Sequence, residues 1–335
     1  MREQLPYHFK PNEEELGRIW KEGTIIPDTS ALLHIYRYTE ETRSEVLQVF
    51  SLLKDRLWIP HQVGKEYLEN RPGVILKQLG MYDQARRLLE TLVQHTEREF
   101  HQVLNFTDHP VLNEKRILKK VRFSMKDIAD QIGEMEKNHP YSIDNDPLMK
   151  EILALFDLNV GESYDVSELE GLYDTGEDRY GKRLPPGYSD AIGDRAKAGP
   201  KKYGDYILWQ QILDKAREEE EPVLFVTNDS KEDWWWRARE KRIAPRPELR
   251  EEMNTVAGVP FYMYDSPDFF ARVSSLEDVE FAQSALQELF HLRERDKEYG
   301  ESDLSEPSTM TGLQNRVLEM KDELQRVEEI LDRLS

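Results

Sequence analysis

The chain has 335 residues, 38% of them hydrophobic and six of them tryptophan, which is more than one typical domain of about 150 residues needs. It contains no cysteine, which excludes disulfides, thiolate zinc sites and cysteine nucleophiles and leaves oxygen or imidazole to hold any metal. A formal net charge of -20 disfavours a simple nucleic-acid binder, because such a surface repels phosphate unless positive charge is locally concentrated. No apolar run approaches the roughly 18 residues of a membrane span, and the start, MREQLPYHFKPNEEE, lacks the apolar stretch of a signal peptide. No membrane association and a cytoplasmic location are therefore expected.

In chain order, the first strand signal is Thr24, Ile25 and Ile26, which runs through Pro27 into Asp28, Thr29 and Ser30; Ala31, Leu32, Leu33, Ile35 and Tyr36 then take up a helical pattern. Leu57 to Pro60 reads as a second short strand, followed by a helix through Val63, Tyr67 and Leu68 that carries Glu66. From about 80 to 160 the spacing of Leu88, Leu89, Leu92, Ile117, Leu118, Val121 and Ile128 predicts a charged helical insertion. Residues 161–204 have loop composition, rich in Gly, Pro, Asp and Tyr. A helix with Asp205 in its first turn follows. Next come the strand Val223 to Val226, the run Asn228–Asp229–Ser230–Lys231–Glu232–Asp233, three tryptophans, and a last strand at 259–264. Alternating strands and helices imply a mostly parallel sheet covered on both faces, with its ligand site beyond the carboxyl ends of the strands.

The tail differs from the rest. Residues 276–335 are expected to form an acidic helical extension of a domain spanning 1–275. Over 277–335 there are sixteen acids against seven bases, so nine of the twenty excess negative charges sit there. Leu313, Val317, Met320, Leu324, Val327, Leu331 and Leu334 are spaced four and three apart, a heptad seam that predicts a coiled coil over 311–335 and a homo-oligomer. A helix docked back on its own chain is the other reading of that seam.

The acids carry the chemistry. Asp28 and Asp229 fall just past predicted strands, Glu66 lies on the helix after another, and Asp205 opens the helix before the Asp229 strand, so a parallel sheet brings all four to one rim. Each alone has an ordinary explanation: an N-cap for Asp28, a helix-dipole partner for Asp205, an Asx turn for Asp229. Together they repel unless cations hold them ionised. Oxygen-only ligation suits Mg²⁺ or Mn²⁺, and two such ions about 4 Å apart are the apparatus of phosphodiester hydrolysis.

The blocks IIPDTSALLHIYRYTEETR, WIPHQVGKEYLENR, PPGYSDA, KYGDYILWQQIL and FVTNDSKEDWWW resemble the PIN-like nuclease domains, in particular the bacterial PIN-like group with a long helical insertion, over roughly residues 20–270. The resemblance implies a three-layer α/β/α fold and an acidic metal centre that hydrolyses RNA, less often DNA. It places Asp28, Glu66, Asp205 and Asp229 as catalytic, metal-holding acids, with Asp233 as an outer ligand. Thr29, Ser30, Asn228 and Asp190 fall where such domains support the site. Members include toxin ribonucleases and effectors of antiphage defence, so a nucleic-acid substrate and a regulatory protein partner are expected. Arg195, Lys197, Lys201 and Lys202 immediately precede Asp205 and could lead phosphates into the site.

A phosphatase built on an aspartate after the first strand needs a second aspartate that PDTSA lacks, and no glycine-rich nucleotide loop is present. The rivals that remain are a DNA-directed nuclease and a non-catalytic scaffold that oligomerises through its coiled coil. The tryptophans divide in expectation between packing the acidic loop and offering a stacking face to a base.

Overall fold

The structure, a computed structural model, describes residues 1, 3–103, 113–193, 196–239, 241–276 and 281–299; the expected coiled coil and Arg195 lie outside them. In chain order its elements are α1 (Glu13–Glu22), β1 (Thr24–Pro27), α2 (Thr29–His34), α3 (Glu40–Leu52), α4 (His61–Val103), α5 (Glu114–Lys137), α6 (Pro147–Phe156), α7 (Val166–Gly181), α8 (Gly204–Glu219), β2 (Val223–Val226), β3 (Trp235–Ala238), β4 (Lys241–Pro245), α9 (Pro247–Ala257), β5 (Phe261–Tyr264), α10 (Ser266–Leu276) and α11 (Gln283–Tyr299).

β1, β2 and β5 form a parallel sheet with β2 in the centre; Thr24 lies opposite Val223 and Val223 opposite Phe261. Successive residues of a strand point to opposite faces, yet every residue of β1 and β2 is buried, so helices cover both faces. This is the α/β architecture expected from the sequence, with its helical insertion in place. The segment 57–60 forms only isolated bridges, Ile25 with Leu57 and Ile59 with Val160, rather than a full strand. Pro60 has no N–H to extend the ladder.

Three further features depart from the sequence reading. The insertion is not a separate segment: α4, 43 residues long, carries Glu66 in its second turn, and α5 returns alongside it. The stretch 161–204, loop by composition, contains the sixteen-residue α7, started by a capping box in which Asp165 and Glu168 satisfy each other's backbone N–H. Gly176 diluted its helical pattern; a Cβ there would meet Tyr203 Cδ1 at 2.8 Å, so the glycine is set by packing. Finally, β3 and β4 pair antiparallel beyond the edge of the main sheet, with Arg239 at φ 55° in their connection. That left-handed backbone is usually marked by Gly or Asn, so the hairpin had no sequence signal.

The described residues beyond 275 pack against the body. Phe281, Ala285 and Leu289 belong to the main core, and Arg37 grips Asp296 through two hydrogen bonds of 2.8 and 2.6 Å.

Candidate active site

The strands end where the sequence becomes polar. β1 ends at Pro27 and delivers Asp28; the Asp28 N–H still donates to Val226 O at 2.8 Å, so the two strand ends stay in register as their side chains turn outward. Asp28 begins α2 but makes no side-chain capping bond. Its Oδ2 instead accepts from Ser30 Oγ and Thr227 Oγ1, both at 2.7 Å. Burial pushes this carboxyl up; the two hydroxyls oppose the rise and the Asp205 charge adds to it.

Glu66 arrives from α4. Gln62, one turn earlier, donates to its Oε1 at 2.6 Å, and Thr29 Oγ1 lies 3.4 Å from its Oε2. Burial, then the charges of Asp205 and Asp28, push Glu66 up to about 7. α8 runs antiparallel to β2, so its first turn falls on the same rim, and Asp205 stands there. The approach is close: a Cβ on Gly204 would lie 2.7 Å from Glu66 Oε1. Burial alone would raise Asp205 too, but the ammoniums of Lys231 and Lys197 outweigh it and hold the carboxyl below its usual range.

Asp229 follows β2. Its Oδ1 accepts the Lys231 N–H at 2.8 Å, forming the Asx turn that is the ordinary use of such a residue, while Oδ2 lies 2.9 Å from Lys231 Nζ. The same Nζ is 2.9 Å from Asp190 Oδ1 and 3.3 Å from Asp205 Oδ2. Burial would lower this lysine, but Asp205, Asp229 and Asp190 together hold it far above the usual lysine range. Asp190 is buried and also accepts from Lys197 Nζ at 2.5 Å. Asp233 is wholly buried: its Oδ2 accepts the N–H of Gly187 and of Ser189, and its Oδ1 has no hydrogen-bond partner among the described residues. Gly187 sits at φ 92°, where a side chain would also strike Tyr180 Oη and the Asp205 Cβ. Asp233 thus anchors the PPGYSDA loop over Asp205.

The expected residues therefore fall into two sets. Asp28, Glu66, Asp205 and Asp229 gather at the sheet rim and keep part of their surface in water. Asp190 and Asp233 are walled in. Thr29 and Ser30 touch Glu66 and Asp28, and Asn228 ties strand ends together, its N–H on Ser30 Oγ at 2.9 Å and its Oδ1 on the Ser266 N–H at 3.0 Å. Of the basic approach, the exposed Lys197 pairs with Asp190, Lys202 pairs with Glu177 at the surface, and Lys201 is exposed. Sequence reasoning missed Thr227, Gln62 and Lys231. The one signal for Lys231 was a base enclosed by acids in DSKED.

Two tryptophans hold the acidic loop. Trp234 packs on Phe225 and Trp209, with ring centroids 5.1 and 6.3 Å apart, and Trp235 donates from Nε1 to Asp229 O at 2.7 Å beneath the Arg242 guanidinium. Trp236 is only partly buried, edge-on to His8. A further rim acid, Asp265 after β5, differs in kind: Arg242 and Arg293 overcome its burial and hold it low.

Among the described residues, no set of three or more Asp, Glu or His side chains is gathered closely enough to hold a metal ion. The donor chemistry nevertheless suits a hard divalent cation, being all carboxylate and hydroxyl oxygen. Asp28 and Glu66 are bonded only to hydroxyl and amide groups among the described contacts, so their charge is the unbalanced part of the rim. A surface recess lined by Tyr7, Glu15, Arg18, Arg250 and Phe261 opens at the opposite, amino-terminal end of β5 and holds none of these acids. No described helix is long and apolar enough to cross a membrane.

No curated protein and no solved structure matches the chain significantly. The signature of the PIN-like domain matches residues 24–249, from the first residue of β1 to the first turn of α9, a span that contains Asp28, Glu66, Asp205 and Asp229. The chain belongs to the PIN-like domain family.

Proposed function

We propose that the chain is a metal-dependent endonuclease, an endoribonuclease before a DNA-directed one, that hydrolyses phosphodiesters at the rim formed by Asp28, Glu66, Asp205 and Asp229. Family membership supports a nuclease-type fold, and PIN-domain nucleases typically use divalent metals. The observation that carries the reading is the meeting of Asp28, Glu66 and Asp205 from three separate elements, with Asp28 and Glu66 raised first by burial and then by the charge of Asp205. Such mutual destabilisation is what a bound cation relieves.

Asp28, Glu66 and Asp205 would hold a Mg²⁺ or Mn²⁺ ion. When bound, such an ion supplies an activated water and Lewis acidity toward a phosphoryl oxygen. The protein's own part is to aim the ligands. Ser30 and Thr227 fix Asp28 Oδ2, Gln62 and Thr29 bracket Glu66, and the Asp229 turn holds Lys231 against Asp205. Exposed Lys201 is the member of the basic approach best placed to meet substrate phosphate. Preference for RNA, a toxin or antiphage role, a regulatory partner and oligomerisation through the tail rest on family analogy and on the heptad seam, which are weaker supports than the site.

The test is cleavage of end-labelled tRNA, unstructured RNA and single-stranded DNA with Mg²⁺, Mn²⁺ or EDTA. Metal-dependent cutting is expected, and Asp205→Asn should lower it on the order of a hundredfold or more. A second reading, a PIN-fold scaffold without catalysis, draws on the ammonium that already sits among the carboxylates. It requires that Asp205→Asn change no biochemical activity.

A further inference from the structure

The rim is not evenly supplied with positive charge. On one side Asp28 and Glu66 meet hydroxyl and amide donors; on the other, Asp190, Asp205 and Asp229 surround one ammonium at 2.9 to 3.3 Å. A lysine has three N–H donors and no more. Here there are three carboxylates to take them. The lysine is also set in place by its own backbone, since its N–H closes the Asx turn on Asp229 Oδ1. Asp190 is buried, its second oxygen taken by Lys197, so it has no free face for another cation.

We propose that Lys231 permanently fills one of the two cation positions of the acidic centre, so that the centre takes a single divalent ion on the Asp28–Glu66–Asp205 side. This rests on the metal-centre reading above. A second ion, on the Lys231 side, would have to share carboxylates that already hold the ammonium, a like-charge repulsion that the loop relieves only by opening the turn at Asp229. Asp229 thereby becomes a positioning residue for Lys231 rather than a metal ligand.

The experiment is Mn²⁺ titration of the full chain by calorimetry, at a salt concentration that screens the acidic tail. The wild type is expected to bind one Mn²⁺ per chain. Asp28→Asn should weaken that site about tenfold or more, and Asp229→Asn should leave its affinity within about threefold. Lys231→Met should bind two. Two ions in the wild type, or a tenfold loss in Asp229→Asn, would overturn the proposal while leaving the metal centre standing. A single ion in a folded Lys231→Met would do the same. No Mn²⁺ binding in any variant would overturn both. Should Lys231→Met fail to fold, wild-type stoichiometry and the comparison of Asp28→Asn with Asp229→Asn still decide between one ion and two.

Discussion

Glu66 shows how far burial and neighbouring charge move a single carboxyl. An exposed glutamate titrates near 4.3, whereas the folded chain holds this one at about 7. Between those values the folded state keeps a proton that the unfolded state has lost, so this residue's contribution to stability falls as pH rises through that window. Glu66→Gln removes the penalty. In EDTA at pH 8 the variant is expected to be more stable than the wild type by about 1 to 2 kcal/mol, discounted for the part of Glu66 in water, and the gap should close below about pH 5. Urea denaturation at the two pH values checks this. A gap of equal size at both would show that the penalty is not a matter of charge. Thr227, unlike Glu66, carries no charge and left no trace in the sequence reading, although its hydroxyl donates to Asp28 and accepts the Asp229 N–H at 3.0 Å. A threonine that ends a strand is unremarkable in a one-dimensional text; only the pairing of β1 with β2 reveals it as the link between two acids.

At the scale of elements, the rim comes together because α8 brings its amino end to within contact of α4. Gly204 is the residue that permits it. Gly204→Ala should leave the fold intact, since alanine is the better helix former by up to about 1 kcal/mol and the clash falls on the flexible end of Glu66. It should nevertheless lower cleavage about tenfold or more, because sub-ångström misplacement of a site group is costly. Melting temperature and cleavage rate measured on one preparation separate the two effects; a parallel fall of both would mean that the glycine serves packing alone. The elements that sequence made legible were those with one dominant signal: β1 and β2, apolar runs that end in acids, and α8, with its periodic Tyr206, Ile207, Trp209, Ile212 and Leu213. Those it concealed had signals in conflict. α7 hides behind its glycines, β3 and β4 turn at an arginine, and the strand at 57–60 is reduced to bridges because its pattern is apolar but its end is proline. α1 is announced only by Asn12, whose Oδ1 accepts the Glu15 N–H at 2.7 Å.

At the scale of the whole molecule, the described part of the acidic tail is structurally engaged. α11 places Leu289 in the core, Glu288 accepts from Thr39 and Thr42, and Arg293 joins Asp265 and Asp268. Leu289→Ala should therefore cost about 2 to 4 kcal/mol in urea denaturation, the range for a buried leucine in a packed core. A cost under about 0.5 kcal/mol would mean that α11 detaches before the body unfolds. α4 has a different consequence. At 1.5 Å per residue its 43 residues span about 65 Å, and Glu66 rides near one end of that rod. Force applied at the far end would tilt the glutamate if the rod were uniform. It is not: Pro72 interrupts its hydrogen-bond ladder six residues past Glu66, and Arg71 is clamped to Asp146 at 2.6 Å while Tyr36 bonds both Asp146 and Tyr67. The joint lies between the glutamate and the outlying hairpin, with its fulcrum bolted to the core. A bend at the far end of α4 and α5 is therefore expected to be absorbed at Pro72 and the Arg71 clamp, leaving the rim acids in place.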